Sequence, residues 1–324
     1  MTRFGLQLPS FTFPGVPDDR LFERIVEIAS AAEGSGFDSF WVMDHYHQIA
    51  HIGPASDPML EAYTLLSGVA ARTSGIKLGV MVTGVTYRNP AFLAKVVTTL
   101  DIVSSGRAIL GIGAAWNEEE SRAYGYEWPS TAERFERLED ALQICRTMFT
   151  RQQSTFRGRR HHIEGAFNVP QPLQPGGPKI MIGGGGERKT LRLVAQYADM
   201  WNGFGDPDTV RHKVKVLSDH CRDVGRDPSD IVKTRLGTLI VTKTREEAEA
   251  RRDEFKKRRG VDDSMLPSML ICGVAEEIGD AAQAYFDVGL DGLIFNMPAG
   301  STPEDVELAG RALTERFGSS SRTR

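Results

Sequence analysis

The stretch SFWVMDHYHQIAH, Ser39 to His51, holds three of the chain's seven histidines directly behind a run that reads as a buried β-strand. His45 and His47 have the alternate spacing that metal hydrolases use when ligands project from a strand end, and Asp44 stands beside them. The same residues could supply a general acid or base instead, because imidazole exchanges protons near neutral pH. A metal site needs more ligands, converging from other strand ends. The choice therefore depends on what the rest of the chain brings to the same place.

Short apolar runs alternate with amphipathic segments along the chain. RFGLQLP precedes a helix with Phe22, Ile25, Val26 and Ala29 on one face, and FDSFWVMD precedes one over about Pro58 to Arg72. IKLGVMVTGV is followed by a helix from Pro90 to Ser104, and RAILGIGAA by one around Leu138 to Cys145. PKIMIGG leads to a helix near Leu191, ADMWNGF to Asp208–Val224, VKTRLGTLIVT to Glu276–Val288 and DGLIFNMP to Pro303–Phe317. Eight strand-plus-helix units predict an α/β fold, a (β/α)8 TIM-type barrel formed as one domain by residues 1–317. A doubly wound open sheet is the alternative. Two long insertions, about 117–178 after strand four and 244–273 after strand seven, are expected at the rim where barrels carry their chemistry. The tail 318–324, GSSSRTR, reads as disordered.

Composition narrows the function. A net charge of −4 with mixed signs offers no basic face for nucleic acid or an anionic membrane, so the expected partner is a small molecule. Three cysteines outside any CxxC spacing argue against a disulfide framework or a zinc site. No apolar run reaches the roughly 18 residues of a membrane span. A soluble, cytoplasmic protein is expected.

The strand ends, read in order, argue against a metal hydrolase. Only the second supplies histidine, and the eighth offers Asn296 where a hydrolase would want an aspartate, so no metal is expected. What remains suits a planar cofactor. Gly84 interrupts the apolar run LGVMVTGVT, which marks a bulge or close ligand approach. GGGGER, Gly183 to Arg188, joins strand five to a helix N-terminus, where free amides and the helix dipole favour a phosphate. The competing end, PAGSTPED, carries two carboxylates in its first helical turn and would repel one.

RFGLQLP, the Asp44–His45 pair, TGVTYRNP, GRAILGIGAAWN and IMIGGGGERKTLRLVAQYADMWN together resemble the luciferase-like monooxygenase superfamily, and within it the F420-dependent oxidoreductases of actinobacterial type. The likeness runs from about Arg3 to Phe317. It implies hydride transfer between coenzyme F420 and a small organic substrate, with His45 as proton donor or acceptor. It also implies cofactor contacts from Asp44, Thr83, Gly84, Val85, Asn117, Gly183, Gly184, Gly185, Gly186, Arg188 and Trp201, a non-proline cis peptide at Gly84–Val85, and a homodimer. His47 and His51 become loop or pocket-wall residues. The sugar-phosphate dehydrogenase branch carries a glutamate near the end of strand four, where this chain has Ala114, Ala115 and Trp116. An FMN-dependent two-component monooxygenase of the same fold and a non-catalytic flavin- or deazaflavin-binding protein remain open as alternatives.

Overall fold

A computed structural model describes residues 3–318. Of the expected disordered tail, everything beyond Gly318 lies outside the described residues. The first strands and helices are β1 (Arg3–Leu8), α1 (Leu21–Ser35), β2 (Ser39–Val42), α2 (Ala62–Ala70), β3 (Lys77–Val80), β4 (Thr83–Gly84), α3 (Pro90–Val103) and β5 (Ala108–Gly113). Next come α4 (Glu118–Ala123), α5 (Thr131–Thr150), the antiparallel pair β6 (Gln153–Arg157) and β7 (His162–Phe167), β8 (Lys179–Gly183), α6 (Thr190–Tyr197) and β9 (Met200–Gly203). The chain ends with α7 (Pro207–Asp223), β10 (Val232–Val241), α8 (Arg245–Arg259), α9 (Leu266–Met269), β11 (Leu270–Gly273), α10 (Ala275–Asp287), β12 (Gly292–Asn296) and α11 (Pro303–Phe317).

Eight parallel strands close on themselves in the order β1, β2, β3, β5, β8, β9, β10, β12 and back to β1, the expected (β/α)8 barrel. Alternation along each strand sends one set of apolar side chains outward beneath the helices and a second set into the ring. The inner set is Trp41, Met81, Ile109, Met181, Met200, Leu236 and Ile294. Trp41 occupies so much of the interior that neighbouring strands must withdraw. A Cβ at Gly5 would lie 2.9 Å from its indole nitrogen, and one at Gly79 would overlap its ring.

The third barrel strand is interrupted. β3 ends at Val80, and pairing with β5 resumes at Thr83 and Gly84 of β4. Between them lies a cis peptide, Met81–Val82, and both side chains face the interior. The expected cis bond at Gly84–Val85 is thus displaced by three residues. Gly84 sits in a paired strand with its amide donating to Asp44 Oδ2 at 3.2 Å, while Val85 donates its amide to Gly113 O and packs beneath the helices. The room that the bulge requires comes from the strands facing it. A Cβ at Gly111 would fall on the Val80 carbonyl oxygen, and Cβ atoms at Gly113 and Gly183 would lie 2.9 and 2.8 Å from the Val82 methyls.

The two long insertions behave differently. In the first, α5 is the fourth barrel helix, packed between α3 and α6. Because it carries the chain from the C-terminal to the N-terminal end of the strands, the hairpin β6–β7 that follows it lies away from the mouth. Its tip folds back on the flank of α5, where Asp140 accepts hydrogen bonds from the amides of Arg159, Arg160 and His161. Only the first part of 117–178 shapes the rim, contrary to expectation. The second insertion stays at the rim, since Arg258 and Arg259 at the end of α8 donate to the carbonyls of Ile52 and His51. It also holds β11, a short strand that the sequence pattern does not announce. β10 pairs with β9 through Val232–Arg235 and with β11 through Thr238–Val241.

If the facing glycines make the bulge possible, Gly111→Ala forces backbone movement in two strands and should destabilise the fold by about 3 kcal/mol. A urea titration followed by circular dichroism measures this. A loss below 1 kcal/mol, again roughly, would mean the bulge relaxes freely.

Candidate active site

The loop leaving β2 is organised by two buried carboxylates. Asp44 receives a forked pair from Arg88, Nη1 to Oδ2 at 2.7 Å and Nη2 to Oδ1 at 3.0 Å, beside the Gly84 amide. Burial pushes its carboxyl up to about 6 against the pull of Arg88, so at neutral pH Asp44 is an anion held by a cation. Both its oxygens are engaged by protein donors. Arg88 also reaches Glu61 and lies over the Tyr63 ring, which fastens the end of β2 to the turn between β4 and α3.

The second carboxylate is Glu120, fully buried on α4. Its Oε2 lies 2.7 Å from His45 Nδ1 and accepts the Tyr87 hydroxyl at 2.6 Å, while Oε1 accepts the amides of Tyr46 and His47. Burial alone would raise this carboxyl. The hydrogen bonds from His45, Tyr87 and the Tyr46 amide outweigh it and hold Glu120 below its ordinary value. An ionised carboxylate only accepts, so the proton of the shared bond belongs to His45 Nδ1. Nε2 is left without a hydrogen-bond partner among the described residues.

Trp116 stands edge-on to His45, with ring centroids 5.4 Å apart, and 6.4 Å from His51. Ala115 turns the chain out of β5 with φ +60°, an uncommon conformation for a residue with a Cβ. That turn leaves Trp116 61% exposed. Asn117, expected beside the cofactor, caps α4 through Oδ1 to the Glu120 amide at 3.2 Å and so fixes the start of the helix that carries Glu120.

The glycine run is also not quite what its sequence implies. α6 begins at Thr190 with Lys189 at its N-cap, so Gly183 to Gly186 precede the helix rather than open it. Gly183 makes room for Val82. Gly184 (φ +124°) donates to Asn202 O, and its own carbonyl accepts Trp201 Nε1 at 2.8 Å. Trp201 is buried among the outer apolar side chains and braces the loop from behind. Glu187 is paired with Lys213 and His212, and Arg188 is exposed.

Of the expected cofactor residues, the structure places Gly183 to Gly186 on the C-terminal rim that also carries His45. It turns Thr83 the other way, with Oγ1 bonded to Tyr63 OH of α2 at 2.6 Å, and it buries Val85 and Trp201 behind the strands. Sequence reasoning missed Glu120, Tyr87, Arg88 and Val82. For Glu120 the available signal was Asn117-x-x-Glu120, the spacing of a helix capping box. That spacing aims the glutamate at its own N-cap, whereas here it crosses to β2. His47 Nδ1 lies near Gln48 O, and burial, with Arg259 and His45 nearby, lowers the pKa of His51. Among the described residues no three His, Cys, Asp or Glu side chains gather as metal ligands.

Residues 2–260 match the model of a family described as luciferase-like monooxygenase. The F420-dependent glucose-6-phosphate dehydrogenase of Kineococcus radiotolerans is 27% identical over 297 residues, covering 85% of this chain and 87% of the relative. A phthiodiolone/phenolphthiodiolone dimycocerosates ketoreductase of Mycobacterium kansasii is 30% identical over 68% of this chain and 64% of its own. Among solved structures, the coenzyme F420-dependent tetrahydromethanopterin reductase of Methanopyrus kandleri superposes with TM-score 0.80 at 18% identity, covering 98% and 99% of the two chains.

Glu120 links the site to pH. Its folded pKa lies below the ordinary 4.5, so its contribution to stability is complete above that value and is lost as pH falls through the folded one. Glu120→Gln should cost about 1–3 kcal/mol at pH 7. It should also flatten the acid limb below pH 4.5 in a plot of unfolding free energy against pH. An unchanged acid limb in the variant would show that Glu120 carries no such stabilisation.

Proposed function

We propose, since this chain belongs to the luciferase-like monooxygenase family, that it is an oxidoreductase passing a hydride between coenzyme F420 and a small organic substrate. The observation that carries the reading is His45 at the strand-two end, its Nδ1–H held by a buried glutamate and its Nε2 unclaimed. The F420-dependent relative and structural neighbour support the choice of cofactor.

The residues present fit such a group. The strand ends around the Val82 bulge are glycines, and at Gly185 only the Lys213 side chain comes within 4 Å of where a Cβ would sit. Backbone amides there are open to a phosphate, with Lys213 near and Arg188 exposed beside them. F420, when bound, supplies the hydride donor or acceptor. His45 Nε2 moves the accompanying proton, and Glu120 and Tyr87 keep the imidazole in one tautomer and one orientation. Asp44 and Arg88 hold the loop from which His45 projects. No carboxylate takes the place of the missing strand-four glutamate, because Glu120 is buried against His45, so sugar phosphate is not the substrate class we assign.

A homodimer belongs to the same proposal. α3 exposes Phe92 and Val103, and exposed Val169 and Leu173 lie in the segment that Lys95 of α3 holds by a bond to Val169 O. Light scattering that finds a monomer at micromolar concentration would end that part of it.

Parallel titrations with F420 and FMN test the cofactor, and tight FMN binding with weak F420 binding would favour the monooxygenase reading instead. Given a substrate, His45→Ala should retain F420 binding and lose about 10²-fold in turnover, while His47→Ala costs much less. Equal losses would remove His45 from its role. Gly185 is the position to probe for the phosphate, since its φ is not left-handed and its surroundings are open, whereas Gly183, Gly184 and Gly186 each have a steric or conformational reason to be glycine. Gly185→Val should weaken F420 binding at least about tenfold in a folded protein. Unchanged affinity would send the phosphate elsewhere.

A further inference from the structure

The second insertion builds a small pocket on one side of the mouth, lined by His51, Thr238, Phe255, Arg259, Asn296 and Met297. No acidic side chain lines it. The acids nearest in sequence are engaged elsewhere, with Asp253 and Asp263 on Lys256, Glu254 on Arg251, and Asp262 on the Ser264 and Met265 amides. Arg259 uses Nη1 to hold the His51 carbonyl at 2.8 Å, which aims the guanidinium while leaving its other donors. At the strand ends Thr238 Oγ1 donates to Asn296 Oδ1 at 2.7 Å, so the Asn296 amide nitrogen is a further donor without a described partner. The pocket thus presents donors and positive charge. Trp116 bridges from it to His45, since its ring contacts both His51 and His45.

We propose that this pocket receives an anionic group of the substrate, a carboxylate or a phosphate ester at the end remote from the carbon that exchanges hydride, and that Arg259 and Asn296 determine that specificity. This rests on the oxidoreductase reading above. It makes the substrate an organic acid or its phosphate analogue, anchored at Arg259 while the heteroatom on its reacting carbon exchanges a proton with His45 Nε2 beside Trp116.

The test follows tryptophan fluorescence of the full chain as sodium acetate, and separately inorganic phosphate, replaces chloride at constant ionic strength. A Trp116→Phe control identifies the reporting residue. The wild type should give a saturable change for one of the two anions. Arg259→Gln and Asn296→Asp, the latter isosteric but repulsive to an anion, should each weaken it at least about tenfold, with F420 affinity unchanged. No saturable response in the wild type, or an undiminished one in both variants, overturns the proposal. A tenfold loss of F420 affinity in the two variants also overturns it, because the anion would then belong to the cofactor. Should F420 fail to bind the wild type, the oxidoreductase reading fails while the anion titration still reports on this pocket.

Discussion

A carboxylate removed from water must be surrounded by donors, and Glu120 is satisfied by four: an imidazole, a phenol and two consecutive backbone amides. Three of the four belong to the loop after β2 and the fourth to the turn after β4, while the carboxylate itself arrives on a short helix after β5. One ionised group therefore locks three βα loops together. Without it the Tyr46 and His47 amides would lose their acceptor, and the loop carrying His45 would have no fixed course. Asp44 with Arg88 repeats the device one residue earlier. The orientation of the imidazole is thus a by-product of satisfying a buried charge, which is why it needs no ligand to be in place.

The fold was legible in the sequence because its signal is repetitive. Apolar runs alternating with amphipathic helices appear eight times, and each unit reports the same architecture independently. Strand boundaries and short elements were less legible. LICG at 270–273 is too brief to show a period, and the β6–β7 hairpin hides in a polar, glycine-rich stretch. The candidate site was legible only where titratable side chains and a strand end coincide, as at Asp44 and His45. Glu120 was not, since its partner is 75 residues away and its local spacing reads as a helix cap. Nor was the position of the bulge, because Met81–Val82 is accommodated by what Gly111, Gly113 and Gly183 lack on other strands.

Those glycines show a division of labour that one-dimensional reading blurs. Gly183 opens a run of four that looks uniform, yet it serves the interior of the barrel, Gly184 provides a left-handed turn braced by Trp201, and only Gly185 has open space around it. Neighbouring residues of one type thus answer to different constraints, steric at Gly183 and conformational at Gly184, while neither applies at Gly185.

The shared edge of β10 has a geometrical consequence. Its first half closes the cylinder against β9, and its second half climbs past the end of β9 and takes β11 as a new neighbour. A four-residue strand adds roughly 13 Å of wall, and it does so on one side of the barrel alone. The cylinder therefore ends in an oblique collar, high over β10 and low toward the glycine loop after β8. The rim of the cylinder is thus asymmetric in its backbone alone, independently of which side chains the loops carry.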